Sequence, residues 1–209
     1  MKPSRPNPAS EPELRLLTHL PPSSPAAASA AMAGSLAASL LAMLTAEHIE
    51  IAASEKAEEE LRAIHDRCLS LRRDLVAMVA RLDEAAAAVT RSQLPTRLPS
   101  QHADDRLRAL LFASEVPLRL AESCHALLNL AMKTLGKTGV RGIGEVGTAA
   151  ALAFAGVVGG IVTARGYLAG IPAGSGMGVG TTRKRAERIF REAEALRTQI
   201  TDRVRQHLP

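Results

Sequence analysis

The chain has 209 residues, 46% of them hydrophobic but only 2% aromatic, with no Trp, three Phe and Tyr167 as its single tyrosine. That length holds one domain with a real core, and the shortage of aromatic residues argues against a β-sandwich or barrel and for packed helices. The net charge of +5 and pI of 9.8 would suit anionic ligands, but the Arg residues alternate with Glu and almost nothing could stack on bases, so the pattern reads as solvated helix faces with no nucleic-acid partner.

The first 22 residues carry Pro3, Pro6, Pro8 and Pro12 and no apolar signal-peptide core. They read as a disordered Pro-rich arm ahead of a single helical domain at 23–209. The two cysteines, Cys68 and Cys124, are too few for a disulfide framework and predict a reducing, cytoplasmic compartment. A first helix is expected from Ser29 to Ala53, after Pro25, with Ser23, Ser24 or Ser29 available to cap it.

A second helix, Ser54 to Ser92, has the clearest pattern. Leu61, Ile64, Cys68, Leu71, Leu75, Met78 and Leu82 follow at steps of three and four, which puts all seven on one stripe and leaves the charges outside. The prolines of "LPTRLPSQ" end it. A third helical region runs from about Asp104 to Leu135, where Pro117 is expected to kink or split it.

"GKTGVRGIG", Gly136 to Gly144, reads as a loop. The next segment has no charge from Val146 to Ala164, and the first helix has a similar run from Ala26 to Ala46. Both are Ala- and Gly-rich, so they are expected to be central helices of a soluble bundle or dimer and not membrane spans. "GIPAGSGMGVGTT", Gly170 to Thr182, lacks a preceding strand and a Walker lysine and reads as a flexible linker. A last helix, Thr181 to His207, buries Ala186, Ile189, Ala193, Leu196, Ile200 and Val204. The fold class is therefore all-α, a bundle of five or six helices with two nearly uncharged central ones, expected to dimerise.

The usual catalytic signatures are missing. There is no HExxH pair, no GxSxG elbow, no P-loop and no Cys-rich zinc pattern, so no metal site is expected. Isolated polar groups remain. Glu145 opens the charge-free helix, where a carboxylate also suits the helix dipole. Asp83 follows the heptad stripe, and Thr163 lies near the far end of the apolar segment, where polar groups need partners or a ligand.

The order of features resembles the cyclodeaminase/cyclohydrolase family, helical enzymes that include formiminotetrahydrofolate cyclodeaminase and methenyltetrahydrofolate cyclohydrolase. The matching segments are "AAMAGSLAASLLAML" after Pro25, "RLDEAAAAV" before Leu94 and Pro95, "ASEVPLRLAESCHALLNLA", and "GEVGTAAALAFAGVVGGIVTARGYL". The resemblance implies a tetrahydrofolate derivative as substrate and no bound cofactor. It implies Glu145, in place of the family's Ser-Asp pair, as acid/base. It also implies substrate contacts at Ala26, Ala27, Ala28 and Ser29, in place of a Gly-Gly-Gly-Ser segment, and at Asp83, Thr163 and Tyr167. Because three glycines have become alanines, two other functions stand beside folate chemistry: action on a different small molecule in a specialised pathway, and a non-catalytic helical scaffold.

Overall fold

The computed structural model describes residues 25–93, 99–138, 142–172 and 177–207. Five helices account for nearly all of them: α1 (Pro25–Ile49), α2 (Glu55–Ser92), α3 (Pro99–Leu135), α4 (Ile143–Ala169) and α5 (Met177–His207). The fold is the expected all-α bundle, without a strand among the described residues. The Pro-rich arm and its boundary with the domain lie outside them.

Local chemistry sets most of the helix ends. Pro25 opens α1, where its missing N–H and fixed φ cost nothing; the helix starts four residues before Ser29 and stops at Ile49. The side chain of Ser54 accepts from the Ala57 N–H at 3.2 Å, and Glu55 and Glu58 stand in the first turn, where the helix dipole favours negative charge. α3 begins at Pro99 and runs through Pro117 as one helix, so the expected split does not occur. α5 starts at Met177, inside the stretch expected to be a linker. The glycines at 178 and 180 are tolerated in its first turns.

Helices consecutive in the chain run antiparallel, up and down the bundle. His65 Nδ1 on α2 lies 2.9 Å from the Ala42 carbonyl of α1. A carbonyl only accepts, so that nitrogen carries the proton. Further along, Gly34 of α1 lies so close to α2 and α3 that an added Cβ would stand 3.1 Å from Leu75 Cδ1 and 2.6 Å from Cys124 Sγ. On α4, a Cβ at Gly156 would stand 2.4 Å from the same sulfur, and one at Gly160 would stand 2.5 Å from the Pro117 carbonyl. Cys124 is thus wedged between glycines of two helices, and the lack of side chains there sets how closely α1, α3 and α4 approach.

α3 lies innermost. Leu118, Leu120, Ala121, Cys124, Leu127 and Leu128 have no accessible surface. Burying each leucine contributes about 1.5–3 kcal/mol. α2 presents its heptad stripe, Leu61 to Leu82, to the core as expected. α5 closes the other side through Ala186, Ile189, Ala193 and Ile200. Phe190 on α5 packs on Phe154 of α4 at 6.2 Å between centroids, and the Arg197 guanidinium covers the Phe154 ring at 4.7 Å. α1 and α4 are long and apolar enough to cross a membrane by length and composition, and each retains one solvent-facing side.

Candidate functional site

Helix direction sorts the sequence-picked residues between the two ends of the bundle. One end holds the start of α1, the end of α2 and the end of α4. In α1, Ala26 and Ser29 are exposed while Ala27 and Ala28 have no accessible surface. Within the chain, only the first pair offers surface to a ligand. The small side chains admit α4 closely: a Cβ at Gly159 would stand 2.5 Å from Ala30 Cβ and 3.8 Å from the Ala26 carbonyl.

One turn further along α4, the Thr163 hydroxyl donates to the Gly159 carbonyl at 2.8 Å and is half-buried. Its proton is satisfied within the helix, and its oxygen keeps accepting capacity. Tyr167, one turn beyond, is half-buried where the main core meets a smaller cluster of Leu110, Leu168 and Ile171. Asp83 joins the same end through register. Gly34 faces Leu75, so in an antiparallel pair Ala26, eight residues earlier on α1, is level with Asp83, eight residues later on α2. Asp83 is half-buried.

Glu145 is at the other end. It is exposed in the first turn of α4, near the positive end of that helix's dipole. Eighteen residues separate it from Thr163 along one uninterrupted helix, about 27 Å at 1.5 Å per residue. A single chain therefore brings Ala26, Ser29, Asp83, Thr163 and Tyr167 to one end and leaves Glu145 outside that group.

Three clefts run along α2, and none of their lining residues belongs to that group. One of about 640 Å³ lies on its outer side, at Leu69, Arg72, Arg73 and Val76. A second, of about 520 Å³, lies between α2 and α3, with Ile64 and Leu130 as apolar lining and Arg67, Lys133 and Lys137 as cations. Lys137 pairs with Glu60 and holds that carboxyl below its usual range, through the hydrogen bond first and then the charge. The third, of about 410 Å³, has mixed charge from Asp74, Arg81, Arg119 and Glu122.

One polar cluster went unread in the sequence. Arg185 on α5 donates through Nε and Nη2 to both carboxylate oxygens of Glu122, each at 2.6 Å, and through Nη1 to Glu115 at 2.8 Å. The Glu122 bond is the first reason that the guanidinium is held in its charged form even more firmly than usual. The spacing of seven between Glu115 and Glu122 puts them on one α3 stripe, a signal available in the sequence, but nothing there identifies their partner. No group of three or more His, Cys, Asp or Glu side chains among the described residues could hold a metal ion.

The model of the family described as formiminotransferase-cyclodeaminase matches residues 21–171, which contain α1 to α4 and every residue picked from the sequence. The chain belongs to that family. The crystal structure of a formiminotetrahydrofolate cyclodeaminase from Thermotoga maritima has the same fold, with a TM-score of 0.75 at 19% identity, covering 93% of this chain and 92% of that one. No curated protein sequence gives a significant match. Formiminotransferase-cyclodeaminase membership thus rests on α1 to α4, and the structural match extends the likeness through nearly the whole bundle. Family membership marks the chain as a folate-linked, cyclodeaminase-like protein.

Proposed function

We propose that the protein is a folate-linked one-carbon enzyme that hydrolyses methenyltetrahydrofolate or expels ammonia from formiminotetrahydrofolate. The observation that supports this reading is that Ser29, Asp83, Thr163 and Tyr167 lie towards one end of the bundle, inside the span that matches the family. Ala26 and Ser29 offer a low-bulk surface to a flat ring. Thr163 offers an oxygen acceptor, and Asp83 offers a carboxylate to a cationic methenyl bridge. In the hydrolytic direction, water adds to the bridge carbon and loses a proton to a carboxylate; a C–N bond then breaks as its nitrogen takes up a proton. Glu145 is the acid/base in this scheme when the second copy of a homodimer supplies it, since within one chain it lies about 27 Å from Thr163. The enzyme works in the cytoplasm as a homodimer, without nucleic acid or membrane.

The test mixes purified protein with methenyltetrahydrofolate and follows the absorbance of the bridge, and in parallel mixes it with formiminotetrahydrofolate and follows ammonia release. Acceleration over buffer in either is expected. No acceleration in both, with no heat of folate binding by calorimetry, refutes the proposal. A second reading, a different small-molecule substrate or a scaffold without catalysis, is favoured by the alanines. Ala27 and Ala28 are helical core residues, where a glycine-rich segment would leave the backbone open to a ligand.

A further inference from the structure

The cleft of about 520 Å³ between α2 and α3 has no part in the folate reading, and its charge is one-sided. The pairing of Lys137 with Glu60 sets the register of the two helices there. Because consecutive helices are antiparallel, Ile64 is then level with Lys133, and Arg67 with Leu130. Ile64 and Leu130, 5% and 9% exposed, make an apolar floor. Arg67 on α2 and Lys133 on α3 stand exposed at its two walls.

These two cations are uncompensated. Several surface cations on the same helices pair with an acid three or four residues away, as Arg62 does with Glu58, Arg108 with Asp105 and Arg119 with Glu115. No Asp or Glu stands three or four residues from Arg67 or from Lys133, and neither has an ion-pair partner among the described residues. Glu60 is the one carboxylate among the described lining residues, and Lys137 already matches its charge. The cleft therefore carries an excess of two positive charges over an apolar floor. The cleft further along the same pair of helices does not, since Asp74 and Glu122 there offset Arg81 and Arg119. Packing of α2 on α3 calls for the floor, but not for like charges on both walls above it.

We propose that this cleft binds a small organic phosphate, an alkyl or aryl phosphate monoester, with its anion between Arg67 and Lys133 and its apolar body over Ile64 and Leu130. The guanidinium can meet two phosphate oxygens at once, and the ammonium adds a point charge. The levels of Glu60 and Arg67 are about 10 Å apart along α2, and the volume of about 520 Å³ falls in the range of small-ligand sites. The apolar floor lies beneath the cations, so the apolar body has to enter the cleft, as a soluble monoester can and a lipid anchored in a bilayer cannot.

The test uses octyl phosphate as its probe and no folate, so it stands or fails apart from the proposed activity. Calorimetry of the full chain should show saturable binding of one octyl phosphate per chain, about tenfold or more tighter than inorganic phosphate, and no binding of octyltrimethylammonium. Raising NaCl from about 20 to about 300 mM should weaken it several-fold, because salt shortens the reach of the two charges. Arg67→Gln and Lys133→Gln should each weaken it about three- to tenfold. Ala63→Glu, which puts a carboxylate on an exposed position of the cleft, should abolish it, while Arg73→Gln, which removes a charge from the outer cleft, should leave it unchanged. All four variants should keep the circular dichroism of the parent, since the substituted positions are exposed. No saturable binding, binding no tighter than that of inorganic phosphate, unchanged affinity in Arg67→Gln and Lys133→Gln, or equal weakening by Arg73→Gln would overturn the proposal.

Discussion

Gly160→Ala probes the closest approach of a described glycine to the backbone of another helix. The new Cβ would stand 2.5 Å from the Pro117 carbonyl oxygen and 3.0 Å from the Ala121 nitrogen, both α3 backbone, where ordinary contact begins at 3.4 Å. The helices would have to separate locally by the difference, about 0.9 Å, because neither atom can swing aside as a side-chain tip can. Overpacking of this kind costs about 1–3 kcal/mol, and the Gly-to-Ala exchange returns about 1 kcal/mol of helix propensity. With rigid backbone on the far side, the net expectation is a loss of about 1–2 kcal/mol. Gly180→Ala on α5 is the control, since nothing lies within 4 Å of its Cβ, and it should gain about 0.5–1 kcal/mol. Urea unfolding followed by far-UV circular dichroism measures both at fixed protein concentration. In thermal melts the two variants should differ by roughly 4–10 °C for a chain of this size. Gly160→Ala melting at or above Gly180→Ala would refute the claim that glycine is there for proximity.

The thiols and the Arg185 cluster supply the remaining expectations. Burial pushes both Cys68 and Cys124 from an ordinary 9.0 to about 12, so neither should react with an aromatic disulfide reagent until the protein unfolds, and rapid labelling of the native protein would contradict the burial. The same shift makes stability pH-dependent: below about 9 the thiols are protonated in both states, and above it the unfolded chain ionises first, so stability falls as pH rises toward 12. Cys68→Ala should make that fall shallower in urea titrations at successive pH values. Arg185→Ala should cost about 1 kcal/mol, a modest figure because the group is one-third exposed. Arg185→Lys should not restore it, since an ammonium cannot make the paired bonds to Glu122; recovery by Lys would show that only charge matters.

Where periodicity was strong and local, the sequence was enough to place the helices. The heptad stripe of α2 required no tertiary information, and it appears where the pattern put it. The start of α5 was hidden because glycine and proline depress helix propensity, yet from Met177 onward the chain is helical while Val179 packs against the Leu110, Leu168 and Ile171 cluster. In the second half of α3, the apolar Leu118, Ala121, Leu128 and Met132 mark a buried side, as found, but a pattern confined to one helix cannot reveal that Arg185, more than sixty residues away, pairs with Glu115 and Glu122.

For the site, the spacing along one helix is decisive. Once Glu145 and Thr163 are placed on one helix, the rise per residue alone separates them by about 27 Å, so no folding of a single chain could bring them to one ligand. The converse, that Asp83 lies level with Ala26, depends on the register between α1 and α2, which His65 at Ala42 and Leu75 at Gly34 determine in space. Burial of Ala27 and Ala28 likewise needed the packed structure, since alanine is at home on either side of a helix. The absence of charge on α1 and α4 predicts a central position, which accounts for their inner sides, while Ser29, Leu36 and Met43 on α1 and Thr148, Ala155 and Val162 on α4 stay exposed and equally uncharged.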